Sequence, residues 1–219
     1  MVAVRNPRSD DQKPNLKQQA TILAGMIGLL WALELVDQLP IVHLDQFGVI
    51  PRQLDGLWGI LFAPFLHGGL AHLAANTLPL IFLGWLIMLR SYRDWIIVSV
   101  AGVIVGGVGT WLFGGPNTVH IGASGLVFAY FGFILTRAVI ERSLRAISAG
   151  LVVVMLYGSL IWGVLPLIQG VSWQMHLFGF LGGLLAAWSL PVPRKEALED
   201  NLEDHILFLE ADDWESDYY

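Results

Sequence analysis

Ser124 lies in the stretch His120-Ile-Gly-Ala-Ser-Gly-Leu, where an apolar segment begins. A serine hydroxyl is a poor nucleophile until a base accepts its proton, and a neutral imidazole suits that task because its pKa lies near operating pH. His176, in Trp173-Gln-Met-His, can supply such an imidazole at the start of another apolar segment. An acid third member is missing, since no Asp or Glu occurs between Glu141 and Glu196. The expected unit is therefore a Ser124/His176 dyad suited to acyl transfer. A developing oxyanion would need donors. The Ser124 amide, the Asn76 carboxamide and the His72 imidazole are available for this, each such donor typically worth about 3 kcal/mol in the transition state.

Each signal also has a plainer reading. His72 and Asn76 are four residues apart, hence on one helical face, where they could simply bridge neighbouring membrane helices by hydrogen bonds. Gly122-Ala-Ser-Gly125 could be small residues that let two helices touch. The nucleophile elbow of soluble hydrolases does not fit, because Leu126 occupies its final glycine position and no strand pattern precedes it. A metal site does not fit either: His67 and His72 are five apart with no Glu between them, and the chain has no cysteine. No cofactor or metal is expected.

The elements that must position these residues are membrane spans. Of 219 residues 55% are hydrophobic and 14% charged, with a mean hydropathy of +0.63, against about a quarter charged in soluble domains. Apolar runs near 20–37, 67–89, 95–113, 122–140, 146–166 and 173–190 approach the roughly 20 residues that cross a hydrocarbon core. The fold expected is an all-α bundle of six transmembrane helices. At 1.5 Å rise per residue, a residue about four positions into a span sits only about 6 Å below its start, so Ser124 and His176 can share a depth. His72 and Asn76 lie somewhat deeper from the same side.

Lys and Arg set the orientation. Arg5, Arg8, Lys13, Lys17, Arg90, Arg93, Arg137, Arg142, Arg145, Arg194 and Lys195 all fall on one side of the six spans, and only Arg52 falls on the other. Both termini are expected in the cytoplasm, in a multi-pass protein of the cell membrane whose second, fourth and sixth spans start outside. Residues 1–19 form a hydrophilic cytoplasmic segment without a signal-peptide core, and 20–190 form the membrane domain. Residues 191–219 form an acidic cytoplasmic tail that holds more than half of the Asp and Glu residues and accounts for the net charge of −6. Within it Leu198, Leu202, Ile206 and Leu209 recur at helical spacing. Residues 38–66 interleave Phe47, Trp58, Leu61, Phe62 and Phe65 with Asp45, Arg52 and Asp55, which suits an interfacial segment in the outer leaflet.

Taken together, His67-x4-His72-x3-Asn76, Gly122-x-Ser124-Gly125 and His176-x2-Gly179-x3-Gly183 resemble the pattern of the rhomboid intramembrane serine proteases, over roughly residues 20–190. The resemblance implies Ser124 as nucleophile, His176 as general base, His72 and Asn76 in the oxyanion hole, and transmembrane proteins as substrates, cut near the top of the spanning helix. It also implies a water-filled cavity open to the outside, covered by a mobile loop around Leu165 to Ser172. Two positions depart from the family pattern. Met88 stands where many bacterial members carry a glutamate that anchors the cytoplasmic end, and Phe128 replaces a frequent tyrosine but can still stack on His176.

Two other functions fit a six-span chain. A transporter would line its path with His and Asn, but such carriers usually place acids at the midplane, and here Glu34 and Asp37 lie near an outer end. A catalytically silent rhomboid-like chaperone of membrane helices fits the fold and leaves Ser124 with His176 unexplained. The partners expected are the bilayer and single-span or other transmembrane proteins, with no nucleic acid; oligomeric state is open.

Overall fold

Asparagine before an apolar run, with glutamine three residues on, is a helix start signal. The computed structural model of the chain describes residues 15–192 and opens on that signal. The Asn15 side chain accepts the Gln18 amide at 2.9 Å and the Gln18 side chain accepts the Asn15 amide at 3.0 Å, a reciprocal cap that starts α1, Leu16–Asp37. Most of the expected N-terminal segment and the acidic tail from residue 193, with its amphipathic stretch, lie outside the described residues.

The stretch after α1 folds into short turns. Single 3-10 turns at Leu44–Phe47, Leu54–Leu57 and Ala63–Phe65 flank α2, Gly59–Phe62. Trp58, Leu61 and Phe62 are 66%, 50% and 47% exposed, so this aromatic segment faces away from the bundle as an interfacial element would. Hydrogen bonds tie it to the bundle. Val49 exchanges both backbone hydrogen bonds with His120 at 2.9 Å. The Arg52 guanidinium donates to the carbonyls of Leu112 and Gly114 at 3.0 and 2.8 Å, where the next long helix but one leaves carbonyls without intrahelical partners.

Four further long helices and one shorter helix complete the described residues: α3, Leu70–Arg90; α4, Tyr92–Phe113; α5, Ser124–Glu141; α6, Leu144–Tyr157, prolonged by a 3-10 segment Gly158–Val164; and α7, Trp173–Ser189. Among the described residues, five helical segments have the length and composition to cross a bilayer, namely α1, α3, α4, α5 and α6 with its extension; α7 has 17 residues. The result is an all-α membrane bundle. The fifth span expected at 146–166 differs in one respect, because the α-helix stops at Tyr157 and tightens to 3-10 from Gly158. Glycine at 158 and 163 weakens the α-helix there.

Helix α5 is the axis of the bundle and packs against α3, α4, α6 and α7. Val127, Tyr130, Phe131 and Ile134 of α5 join Leu73, Leu80, Leu83 and Ile87 of α3 in the buried core. On the opposite side α7 meets α5 almost backbone to backbone: a Cβ on Gly179 or Gly183 would overlap the carbonyl of Gly125 or Ala129.

At the end opposite Ser124 the helices are held by charge. Glu141 pairs with Arg90 and Arg137, Arg90 also pairs with Asp94, and Arg137 donates to the carbonyls of Ala187, Leu190 and Pro191 at 2.9 to 3.0 Å, closing the end of α7. Glu141 thus provides a carboxylate anchor that Met88 cannot. Met88 itself contributes its carbonyl to Gln19 at 3.4 Å.

The helix starts differ in a way that bears on the site. Asn15, Ser91, Ser143 and Ser172 cap α1, α4, α6 and α7 with side-chain oxygens, whereas α3 starts after Gly69 and α5 after Ala123, neither with a side-chain cap.

Candidate active site

Ser124 is the first residue of α5, and the turn into it is fixed from both flanks. The Gly122 amide donates to the Ala63 carbonyl at 2.8 Å, and the Ala123 amide donates to His67 Nε2 at 3.2 Å. The amides of Leu126 and Val127 donate to the Ala123 carbonyl at 3.0 and 3.1 Å. The amides of Ser124 and Gly125 are those that a helix start leaves without intrahelical partners, and no side chain caps them.

Gly122 brings the first two motifs together. Its φ of 120° lies where side chains are strained, and a Cβ there would fall 2.8 and 2.9 Å from Cε1 and Nε2 of His72 and 3.7 Å from Ser124 Oγ. The imidazole edge and the hydroxyl therefore face one small space that exists because residue 122 has no side chain. His72 is the third residue of α3, and its Nδ1 accepts the Gly68 amide at 3.4 Å. A neutral ring with Nδ1 as acceptor carries its proton on Nε2, on the side toward Gly122 and Ser124. His72 is thus set as a donor.

Asn76 is one turn further along α3, 7% exposed, and its side-chain nitrogen donates to the His72 carbonyl at 3.3 Å. It shares the His72 face of the helix.

His176 is held the other way. Its ring stacks on Phe128, one turn below Ser124, with centroids 4.1 Å apart and planes 10° from parallel. His176 Nδ1 lies 3.0 Å from the Gly163 carbonyl, which can only accept, so Nδ1 carries the proton and Nε2 keeps its lone pair. Helix contact sets the depth. Gly125, next to Ser124, lies against Met175 and Gly179, which flank His176 on α7. Ser124 and His176 are each 9% exposed. The structure thus brings Ser124, His72 and His176 to one end of the bundle, with His72 a donor and His176 an acceptor. An acyl transfer centre requires that pair of roles.

Two contributors have roles that the residue pattern does not announce. The Gly163 carbonyl is a backbone group, which no side-chain motif announces. His67, unsuited to a metal site by its spacing, is 2% exposed and holds the Ala123 amide. His67 opens the pattern quoted with His72 and Asn76, but its spacing says nothing of the Ala123 amide.

Comparison with known proteins is consistent across three kinds of relative. A family model described as the Rhomboid domain matches residues 54–192. An uncharacterized protein of Mycobacterium tuberculosis is 40% identical over 203 residues, covering 88% of this chain and 84% of that protein. One of Mycobacterium leprae is 43% identical over 185 residues, covering 80% and 72%. The rhomboid protease GluP of Bacillus subtilis is 32% identical over 173 residues, covering 76% of this chain and 33% of that protein.

Proposed function

The chain belongs to the rhomboid family of multi-pass membrane proteins, and from that membership we propose that it is an intramembrane serine endopeptidase with Ser124 as nucleophile and His176 as general base. The observation that carries this reading is the opposite tautomers of the two histidines, His72 fixed by the Gly68 amide as a donor and His176 fixed by the Gly163 carbonyl as an acceptor.

In the proposed reaction Ser124 Oγ attacks the scissile carbonyl carbon while its proton passes to His176 Nε2. The imidazolium so formed keeps its Nδ1–H on the Gly163 carbonyl, which orients the ring as a carboxylate does in a triad but with a partial rather than a full charge. The negative charge on the substrate oxygen is met by the Ser124 amide, His72 Nε2–H and the Asn76 carboxamide. Collapse of the tetrahedral species breaks the C–N bond, and His176 returns the proton to the leaving amine. Water then enters with the same base and hydrolyses the acyl enzyme, restoring the Ser124 hydroxyl.

The surroundings are assigned in the same spirit. Residues 20–190 form the catalytic membrane domain, with α7 as its sixth span, between cytoplasmic segments at 1–19 and 191–219. The Lys and Arg distribution supports cytoplasmic termini in the cell membrane, with Ser124 near the outer face. The substrates are transmembrane proteins, entering from the bilayer. The segment 165–172, which joins the end of the 3-10 extension to Ser172, covers the site from outside.

A fluorophosphonate probe tests the assignment, because it forms a covalent bond only with an activated serine. Wild type should be labelled at Ser124, and Ser124→Ala and His176→Ala should not be. Folded, membrane-inserted wild type that resists the probe would overturn the enzyme reading and leave a silent binder of membrane helices.

A further inference from the structure

His120 is four residues before Ser124, and Ser172 is four residues before His176. The two side chains meet. His120 Nδ1 lies 2.6 Å from Ser172 Oγ, and His120 Nε2 lies 2.8 Å from Thr118 Oγ1, in a site where His120 is 8% exposed.

The direction of each bond can be worked out from proton supply. Thr118 Oγ1 donates its one hydroxyl proton to the Gly115 carbonyl at 2.7 Å, so toward His120 it can only accept. His120 Nε2 therefore carries the ring proton. A neutral ring then has a lone pair at Nδ1, and the Ser172 hydroxyl donates to it. The Ser172 oxygen in turn accepts the Met175 amide at 3.3 Å, as the cap of α7. Every proton in the series from the Met175 amide to the Gly115 carbonyl has one acceptor. The chain closes only with a neutral imidazole, and burial holds this ring below the ordinary histidine range.

The backbone of His120 is occupied as well, by the paired bonds to Val49. One residue thus joins three parts of the molecule: the interfacial segment at Val49, the turn leading into Ser124, and the first turn of the helix that carries His176. The α5–α7 contact at Gly125 and Gly179 fixes how far apart the two helices lie. Arg137 fastens α5 to the end of α7 at the far side of the bundle, and His120 adds a fastening at the end where Ser124 and His176 lie.

We propose that His120 is a positioning residue, a neutral imidazole that clasps the approach to Ser124 onto the cap of α7 and so sets the register between nucleophile and base. The proposal rests on the assignment of Ser124 and His176 given above. His120 touches no reacting atom; it acts through Ser172 and the turn before Ser124.

The test compares wild type with His120→Phe, His120→Asn and Ser172→Ala, each purified as the full chain in detergent and confirmed as folded. Three readouts are taken: fluorophosphonate labelling rate at Ser124, cleavage of a membrane-anchored reporter resolved into kcat and KM, and apparent Tm. His120→Phe keeps a flat ring but no hydrogen bond, and should lower kcat and labelling about ten- to a hundredfold with KM within about twofold, as a displacement of under 1 Å would. Asn places an oxygen near the Nδ1 position, so His120→Asn should recover most of that loss. Ser172→Ala combined with His120→Phe should be no slower than the slower single variant, because both break the same clasp. If His120→Phe does not fold, His120→Asn and Ser172→Ala carry the comparison.

Wild-type kcat in folded His120→Phe, or an equal fall in Phe and Asn variants that tracks only Tm, would overturn the positioning role. Wild type that resists the probe would instead overturn the underlying assignment of Ser124, so the two failures are told apart by the wild-type lane alone.

Discussion

Gly179→Ala adds one methyl group where α7 touches α5. An ideal Cβ at 179 would lie 3.0 Å from the carbonyl carbon of Gly125 and 3.1 Å from its Cα, and would overlap the carbonyl oxygen. Relaxed contacts between carbon atoms are about 3.5–4.0 Å, so the helices must part by about 0.5–1 Å. Backbone is the obstacle, so no side chain can rotate out of the way. Overpacking of this kind costs about 1–3 kcal/mol, which a bundle also held by Arg137 and Glu141 should survive. Turnover should suffer more. Gly125 follows Ser124 and Gly179 lies one turn below His176, so the gap opens between the proposed nucleophile and base, and a misplacement near 1 Å lowers rate about 10²-fold. The assay is cleavage of a membrane-anchored reporter per folded molecule, with apparent Tm measured on the same preparation. Gly28→Ala is the control: a Cβ there meets no atom within 4 Å, and alanine favours the helix, so neither rate nor Tm should fall. If Gly179→Ala keeps more than about a third of wild-type turnover, the contact does not set the catalytic distance and the reasoning is wrong.

Asn76→Ala should lower kcat about 10²- to 10³-fold at unchanged KM, as expected for loss of one oxyanion donor; a raised KM with unchanged kcat would assign Asn76 to binding instead. Cysteine introduced at Pro116 or Gly170 in this cysteine-free chain should react with an impermeant maleimide in intact cells, and cysteine at Ser143 only after lysis; the reverse pattern would invert the orientation. Asp45 is pushed up to about 6 by burial and by the Asp37 and Glu34 carboxylates. Its folded state therefore holds a proton that the unfolded chain releases near pH 4, so its contribution to stability is full below about pH 4, falls as pH rises to about 6, and is flat above. Asp45→Asn should remove that slope and raise apparent Tm at pH 7, and an unchanged pH dependence of Tm would show that Asp45 does not titrate in this way.

The spans could be read from the sequence because lipid demands long apolar runs, and the helices fall within a few residues of the expected ones. The end of the fifth was not readable. Gly158 and Gly163 sit in an apolar run whose hydropathy is the same for α and 3-10 backbone, and the tightening that aims the Gly163 carbonyl at His176 is a backbone event. His72, Ser124 and His176 could be picked out because lipid penalises polar groups and each needed a reason to be there. His120 stood out in the sequence only as the first residue of the stretch that holds Ser124, since its partners Thr118 and Ser172 are ordinary loop residues until the chain brings 120 and 172 together. The replacement for the expected glutamate at 88 was hidden for a similar reason. Glu141 is 53 positions away, and its pairing with Arg90 and Arg137 exists only in three dimensions.

The two long helices without a side-chain cap are α3 and α5, which carry His72, Asn76 and Ser124. The other four, α1, α4, α6 and α7, are capped by Asn or Ser, and such a cap is typically worth about 1 kcal/mol. A resting protein with Ala123 before α5 forgoes that stabilisation, whereas Gly69 before α3 forgoes little of it, because glycine is itself a tolerated cap. In the proposed reaction the substrate oxygen, as it gains charge, arrives where a capping oxygen would sit on α5, accepts the amide such a cap would accept, and meets the positive end of the helix dipole. The transition state would then be the missing cap. On this view the enzyme is completed as a folded object only for the instant of bond breaking, and stability withheld at one helix start reappears as rate.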